Sequence, residues 1–140
     1  MATTVTVIQD IELESTIKVV ADGAGLAAAT IDISTLSGAA AAGGNLVAIT
    51  GIKSSCVTPT AAPFGGYTIG WVGGDSAAEM GDGCVDWQKI WIPTTGTGNI
   101  TITPADGSVR FTLILSLRKV RGFAGTAPEY RKVALPRQIF

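Results

Sequence analysis

A strict two-residue alternation near the C-terminal end constrains the fold more than any other feature of this chain. Every second residue from position 109 to 117 is a large apolar one, and mainly polar residues separate them. Successive side chains of a β-strand point to opposite faces, so this pattern predicts a long strand with one buried face. Shorter segments of the same kind occur at residues 3–8, 11–19, 29–33, 46–56, 67–71, 84–92 and 99–103.

Clusters of glycine, proline, aspartate and asparagine separate these segments, and no stretch has helical periodicity. Such residues favour turns, and we interpret residues 37–44 and 76–83 as loops. Many short strands joined by turns are typical of an all-β domain. The sequence therefore predicts an antiparallel β-sandwich or a jelly-roll-like barrel of about eight strands.

The length of 140 residues indicates one domain. We expect the sandwich to occupy residues 1–122, with residues 1–9 forming either a first strand or an N-terminal arm. Residues 123–140 contain two prolines, mixed charge and no regular period, which predicts an extended C-terminal arm. The sequence contains neither a long apolar run nor a secretion signal, so we expect no membrane partner.

Little in the sequence indicates catalysis. Histidine is absent, which removes the commonest general base and metal ligand, and the glycine pairs lack the pattern of a phosphate-binding loop. The acidic residues between positions 75 and 86 fit a solvated loop better than a metal site. We therefore predict no catalytic residue, no metal and no cofactor. Cys56 and Cys84 are interpreted as free, buried thiols, although the sequence leaves their pairing open.

The charge is distributed unevenly along the chain. Residues 110–140 hold seven basic side chains and one acidic side chain, whereas residues 1–109 hold three basic and ten acidic ones. A basic terminal segment indicates a negatively charged partner. The acidic body would repel nucleic acid, so an acidic protein surface is the expected partner. The predicted partner-binding residues are Arg118, Lys119, Arg121, Phe123, Tyr130, Arg131, Lys132, Leu135, Arg137, Ile139 and Phe140.

Four aromatic residues allow a second interpretation. Tyr67, Trp71, Trp87 and Trp91 alternate with smaller residues, as the stacking face of a sugar-binding module does. The same residues could instead anchor a core or an interface. Trp87 and Trp91 would share one face if their strand were regular.

Three segments carry a resemblance to a known class of protein. They are Asp-Ile-Ser-Thr-Leu-Ser-Gly at 32–38, Gly-Thr-Gly-Asn-Ile-Thr-Ile-Thr at 96–103 and Phe-Thr-Leu-Ile-Leu-Ser-Leu-Arg-Lys at 111–119. Over about residues 10–122 the chain resembles small β-rich virion proteins of tailed bacteriophages. The resemblance implies a non-enzymatic capsid decoration (cement) protein that is made in the host cytoplasm and is located on the capsid surface.

Such a protein would bind the major capsid protein at capsomer junctions and associate with itself, often as a trimer. A tail-tube or neck subunit of the virion, and a carbohydrate-binding or adhesin module, remain the alternatives.

Overall fold

The computed structural model describes residues 3–22, 28–39, 44–57, 66–105 and 108–123. Within these ranges the chain forms nine strands and one short 3-10 helix, Ile33–Thr35. The strands are β1 (Thr3–Asp10), β2 (Glu14–Asp22), β3 (Ala29–Ile31), β4 (Leu46–Val57), β5 (Tyr67–Trp71), β6 (Ser76–Met80), β7 (Gly83–Pro93), β8 (Ile100–Pro104) and β9 (Arg110–Arg121).

The strands form two antiparallel sheets. One sheet has five strands in the order β1-β2-β9-β4-β7, and the other has four in the order β3-β8-β5-β6. Apolar side chains from both sheets meet in one core. The prediction of an all-β antiparallel sandwich is therefore confirmed, with nine strands instead of about eight.

The long alternating segment is the centre of the larger sheet. As strand β9 it pairs with β2 on one side and with β4 on the other. Its side chains Leu113, Leu115 and Leu117 are at most 1% exposed, while the residues between them are half-buried or exposed. The alternation thus fixes which face of the sheet packs against the second sheet.

The additional strand is β6, which lies in the segment that we expected to be a loop. A tight turn after β5 returns the chain, with Trp71 N–H donating to Asp75 O (3.0 Å) and Gly74 N–H to Trp71 O (2.9 Å). The turn places Ser76–Met80 beside β5, where backbone pairing outweighs a composition that does not favour strands.

The N-terminal segment is a strand and not an arm, because Thr3–Asp10 pairs with β2 along its length. Strand β2 itself begins at Glu14, so Ile11 lies in the preceding turn, where its N–H donates to Glu14 O at 2.9 Å. Neither Cys56 nor Cys84 forms a disulfide, and only Cys56 is buried, since Cys84 lies exposed on β7. Among the described residues, no helix is long and apolar enough to cross a membrane.

Candidate binding surface

Lys119, predicted to bind a partner, is instead buried at one end of the sandwich. Its side chain is 0% exposed. The ammonium group donates to Asp10 Oδ1 (2.7 Å), Ile11 O (2.8 Å) and Ser37 O (2.7 Å). An ammonium has three N–H donors, and these three acceptors satisfy all of them. Lys119 therefore stabilises the fold and is not available to a partner.

Asp10 completes this partly buried ion pair, with its side chain 21% exposed. Its carboxylate also accepts hydrogen bonds from Ser37 N–H (2.6 Å) and from the Ser15 hydroxyl (2.8 Å). Partial burial opposes ionisation, but the hydrogen bonds from Lys119, Ser37 and Ser15 outweigh it and hold the pKa of Asp10 below its usual value. The pair joins the end of β1 to β9 and to the turn that follows the 3-10 helix.

Phe123, which we assigned to the arm as a partner-binding residue, packs into the body of the domain. It is 4% exposed, and its backbone forms a bridge with Ala39. The Lys119 ammonium lies 5.4 Å from the centre of its ring. Burial of this aromatic ring beside the ion pair anchors the residues that follow β9 to the body of the domain.

Two of the predicted basic residues remain exposed. Arg118 and Arg121 lie at the end of β9, and Arg118 stands directly opposite Glu14 of β2. The other predicted partner-binding residues lie outside the described residues; they are Tyr130, Arg131, Lys132, Leu135, Arg137, Ile139 and Phe140.

The aromatic residues do not form one ligand face. Tyr67 and Trp71 are 2% and 3% exposed and belong to the core. The Tyr67 ring stacks on Phe111 with centroids 3.9 Å apart, and its hydroxyl is hydrogen-bonded to the Ser54 hydroxyl. Burial raises the pKa of Tyr67 to about 12. A ring held in this way cannot stack on a sugar, so both residues are removed from the proposed face.

Trp87 and Trp91 are exposed, at 43% and 59%, but they lie on opposite faces of the sheet. Trp87 stands opposite Ile52, and Ile92 stands opposite Ile49. The side chains of Ile52 and Ile49 point into the core. Directly opposed residues share a face, so Trp91, next to Ile92, points outward. The cause is a bulge in β7 around Lys89, whose φ is 58°.

The outward-facing side of the five-stranded sheet, called here the outer face, carries a shallow groove. Three adjoining depressions of about 280, 280 and 200 Å³ form it. The two larger ones share Lys53, Asp86 and Ile114, and the smallest shares Ser55 and Thr112 with one of them. The groove thus runs from β7 across β4 and β9 to β2.

Threonine, isoleucine and serine side chains form the floor of the groove, and charged residues border it. Thr112, Ile114 and Ser116 are half-buried along β9, and Gly51 lies so close to Ser116 that an added Cβ would stand 3.2 Å from its hydroxyl oxygen. On the same face, charged residues of opposite sign stand directly across from each other. The pairs are Lys53 with Asp86, Arg110 with Asp22, and Arg118 with Glu14.

Chemically, the outer face combines a shallow, partly apolar groove with charges of both signs. The part of the chain that the structure describes holds no group of three or more acidic or cysteine side chains placed to bind a metal. The sequence analysis assigned Arg118 to a basic terminal segment and did not identify this face. The signal was present, because Arg110, Thr112, Ile114, Ser116 and Arg118 share one parity of the alternating strand.

Comparisons with known proteins gave no matching family model, no matching curated protein and no matching solved structure.

Proposed function

We propose that this chain is a structural, non-enzymatic component of a bacteriophage particle, a decoration protein that binds the outer capsid shell at junctions between major capsid subunits. The observation that carries the proposal is the outer face. It offers a broad, shallow groove with a half-buried isoleucine in its floor and charges of both signs along its border. The resemblance of three sequence segments to virion proteins is the reason for proposing a phage particle as the partner.

The shape of the groove favours a protein surface over a small ligand. Small-molecule sites are usually concave pockets of about 300–1,000 Å³ that enclose most of the ligand. Here the depressions are smaller, and they extend side by side across four strands. A strand or loop of a capsid subunit could lie along such a groove and cover Ile114.

The energetics of this contact would come mainly from apolar burial and from repetition. Exposed ion pairs contribute only about 0–1 kcal/mol each, so Lys53 and Arg118 would contribute more to orientation than to affinity. Many copies on one shell would strengthen attachment through the high effective concentration of neighbouring sites. The basic and apolar residues beyond Phe123, including Arg131 and Arg137, would add a second contact with acidic capsid residues.

The alternative of a carbohydrate-binding module has less support in this geometry. Of the four aromatic residues, only Trp91 lies exposed on the outer face, and a single ring offers little stacking surface. A tail-tube or neck subunit would use the same kind of docking face, and the partner in that case would be another virion protein.

The proposal is tested by sedimenting the full-length chain with empty shells assembled from the major capsid protein. An Ile114→Glu variant places a charge in the groove floor, and we expect its affinity to fall at least about tenfold. The matched control is Thr30→Glu, which adds the same charge to an exposed position of β3 in the other sheet. Equal binding by the two variants, with both folded by circular dichroism, would contradict docking through the outer face.

A further inference from the structure

Strand β1 is an edge strand that carries almost no protection against pairing. Within the described chain it pairs with no strand other than β2, so it forms one edge of the five-stranded sheet. Residues Thr3 to Gln9 include neither a charged residue nor a proline. Val5, Val7 and Ile8 are 37%, 47% and 54% exposed, and Ile11 follows at 49%.

The other edges of the two sheets are guarded in ways that natural proteins commonly use. Strand β7 carries Asp86, Lys89 and Pro93 as well as a bulge. Strand β6 has only five residues and includes Glu79, and β3 has only three residues. Strand β1 has only a bulge at Ile8 and, at its last position, Asp10, whose carboxylate is already bound to Lys119. This contrast indicates that the β1 edge is meant to be covered.

We propose that β1 pairs antiparallel with β1 of a second copy about a two-fold axis, which joins two five-stranded sheets into one sheet of ten. A segment that pairs with itself must be self-complementary, and Thr4–Ile8, which contains no charge, meets that condition. With a two-fold axis perpendicular to the sheet, the core-facing sides of both copies lie on the same side of the joined sheet. Centred on Thr6, the pairing runs from Thr4 to Ile8, where the bulge ends the regular register, and sets Val5 opposite Val7 of the second copy.

The exposed apolar side chains give this pairing its driving force. Val5 and Val7 stand opposite Val19 and Ile17 and therefore face the inner side of the sheet. The strand on that side, β3, is too short to cover them. Pairing would bring the half-exposed valines of both copies into contact across the new strand boundary, where aliphatic pairs stabilise a sheet.

The size of the contact sets its expected strength. Five paired residues span about 17 Å, so the interface would fall at the small end of specific protein contacts, below about 1,200 Å² in total. We therefore expect association that depends on concentration, and a strengthening of that association when many copies share one surface. The pairing does not depend on the proposed role in a phage particle.

The first test is sedimentation velocity of the full-length chain over a range of micromolar concentrations. Val7→Lys places an inward-pointing charge on β1, and we expect it to halve the native mass of the assembly. Val57→Lys makes the same change at an exposed position at the end of β4 and should leave the mass unchanged. A wild-type monomer at every concentration, or equal effects of the two variants, would overturn the proposal.

The second test locates the axis. In a Cys84→Ser background, Thr6→Cys places two thiols opposite each other across the axis, within the range of Cα separations that a disulfide spans. Mild oxidation should then give a covalent dimer. The control Lys18→Cys lies opposite Thr6 on β2, one strand away from the edge, and should give none. Cross-linking at both positions or at neither would overturn the two-fold pairing, even if Val7→Lys reduces the native mass.

Discussion

Replacing Lys119 by methionine tests whether the buried ion pair holds one end of the sandwich together. The variant keeps most of the side-chain volume and removes the ammonium. It leaves the Asp10 carboxylate without its cation and removes the hydrogen bonds that Lys119 donates to the Ile11 and Ser37 carbonyl oxygens. Removing one partner of a buried pair typically costs about 3–5 kcal/mol. Asp10 is 21% exposed and keeps two other hydrogen bonds, so we expect about 3 kcal/mol.

The assay is urea unfolding at pH 7, followed by tryptophan fluorescence, with thermal unfolding beside it. A loss of about 3 kcal/mol should lower Tm by about 10 °C in a domain of this size. Lys18→Met, which removes an exposed lysine from β2, is the matched control and should change stability by less than about 0.5 kcal/mol. In a double-mutant cycle with Asp10→Asn, the double variant should lose about 2 kcal/mol less stability than the sum of the two single losses.

The stability difference between wild type and Lys119→Met should depend on pH. The pKa of Asp10 lies below its ordinary value of 3.8 in the folded chain. The ion pair therefore stabilises the fold fully above pH 3.8, and this contribution disappears as the pH falls through the folded pKa. The difference in stability between wild type and Lys119→Met should narrow below about pH 4. A Lys119→Met variant as stable as wild type at pH 7 would refute the reasoning.

Three further predictions concern the core and its turns. Gly66→Ala should destabilise the fold by at least about 2 kcal/mol in urea unfolding, because the φ of Gly66 is +93° and a Cβ there would collide with a backbone carbonyl of β6. The control Gly81→Ala has open space around the added Cβ and should cost less than about 1 kcal/mol. Tyr67→Phe should cost about 1–2 kcal/mol at pH 7. Because the pKa of Tyr67 is raised to about 12, wild type should lose stability between pH 10 and 12, and this variant should lose less over the same range. In a thiol-reagent assay Cys84 should react at once and Cys56 only after unfolding, so two fast thiols in the folded chain would contradict the burial of Cys56.

The fold class was predictable because it depends on periodicity. The alternation in β9 and the turn residues between segments set the strands and the buried face. Strand β6 was not predictable in the same way, because Ser-Ala-Ala-Glu-Met has little intrinsic preference for a strand. It forms because the turn after β5 delivers it to a strand edge, which is a tertiary effect.

The burial of Lys119 could have been predicted from its position in the alternating strand, but its charge favoured a surface assignment. Lys119 has the same parity as Phe111, Leu113, Leu115 and Leu117, so the alternation already placed it on the core face. A reading by net charge assigned it to a basic surface. Its partner Asp10 lies 109 residues earlier, and only the pairing of β1, β2 and β9 brings the two together.

The aromatic residues divide in a similar way. Tyr67 and Trp71 share parity with Ile69, which predicts burial of all three on one side of β5. Trp87 and Trp91 could not be placed from the sequence, because the bulge that separates their faces contains Lys89 in a backbone conformation that lysine rarely adopts. A regular strand would have put both rings on the same side.

The measurement that tests the central claim most directly is lysine acetylation of the full-length chain, free and bound to shells of the major capsid protein. If the outer face docks on the shell, Lys53 in the groove and Lys18 on the same face should become less reactive on binding. Lys119 should be unreactive in both states because its ammonium is buried. Unchanged reactivity of Lys53 in the shell-bound chain, or failure of the chain to bind shells, would contradict the account.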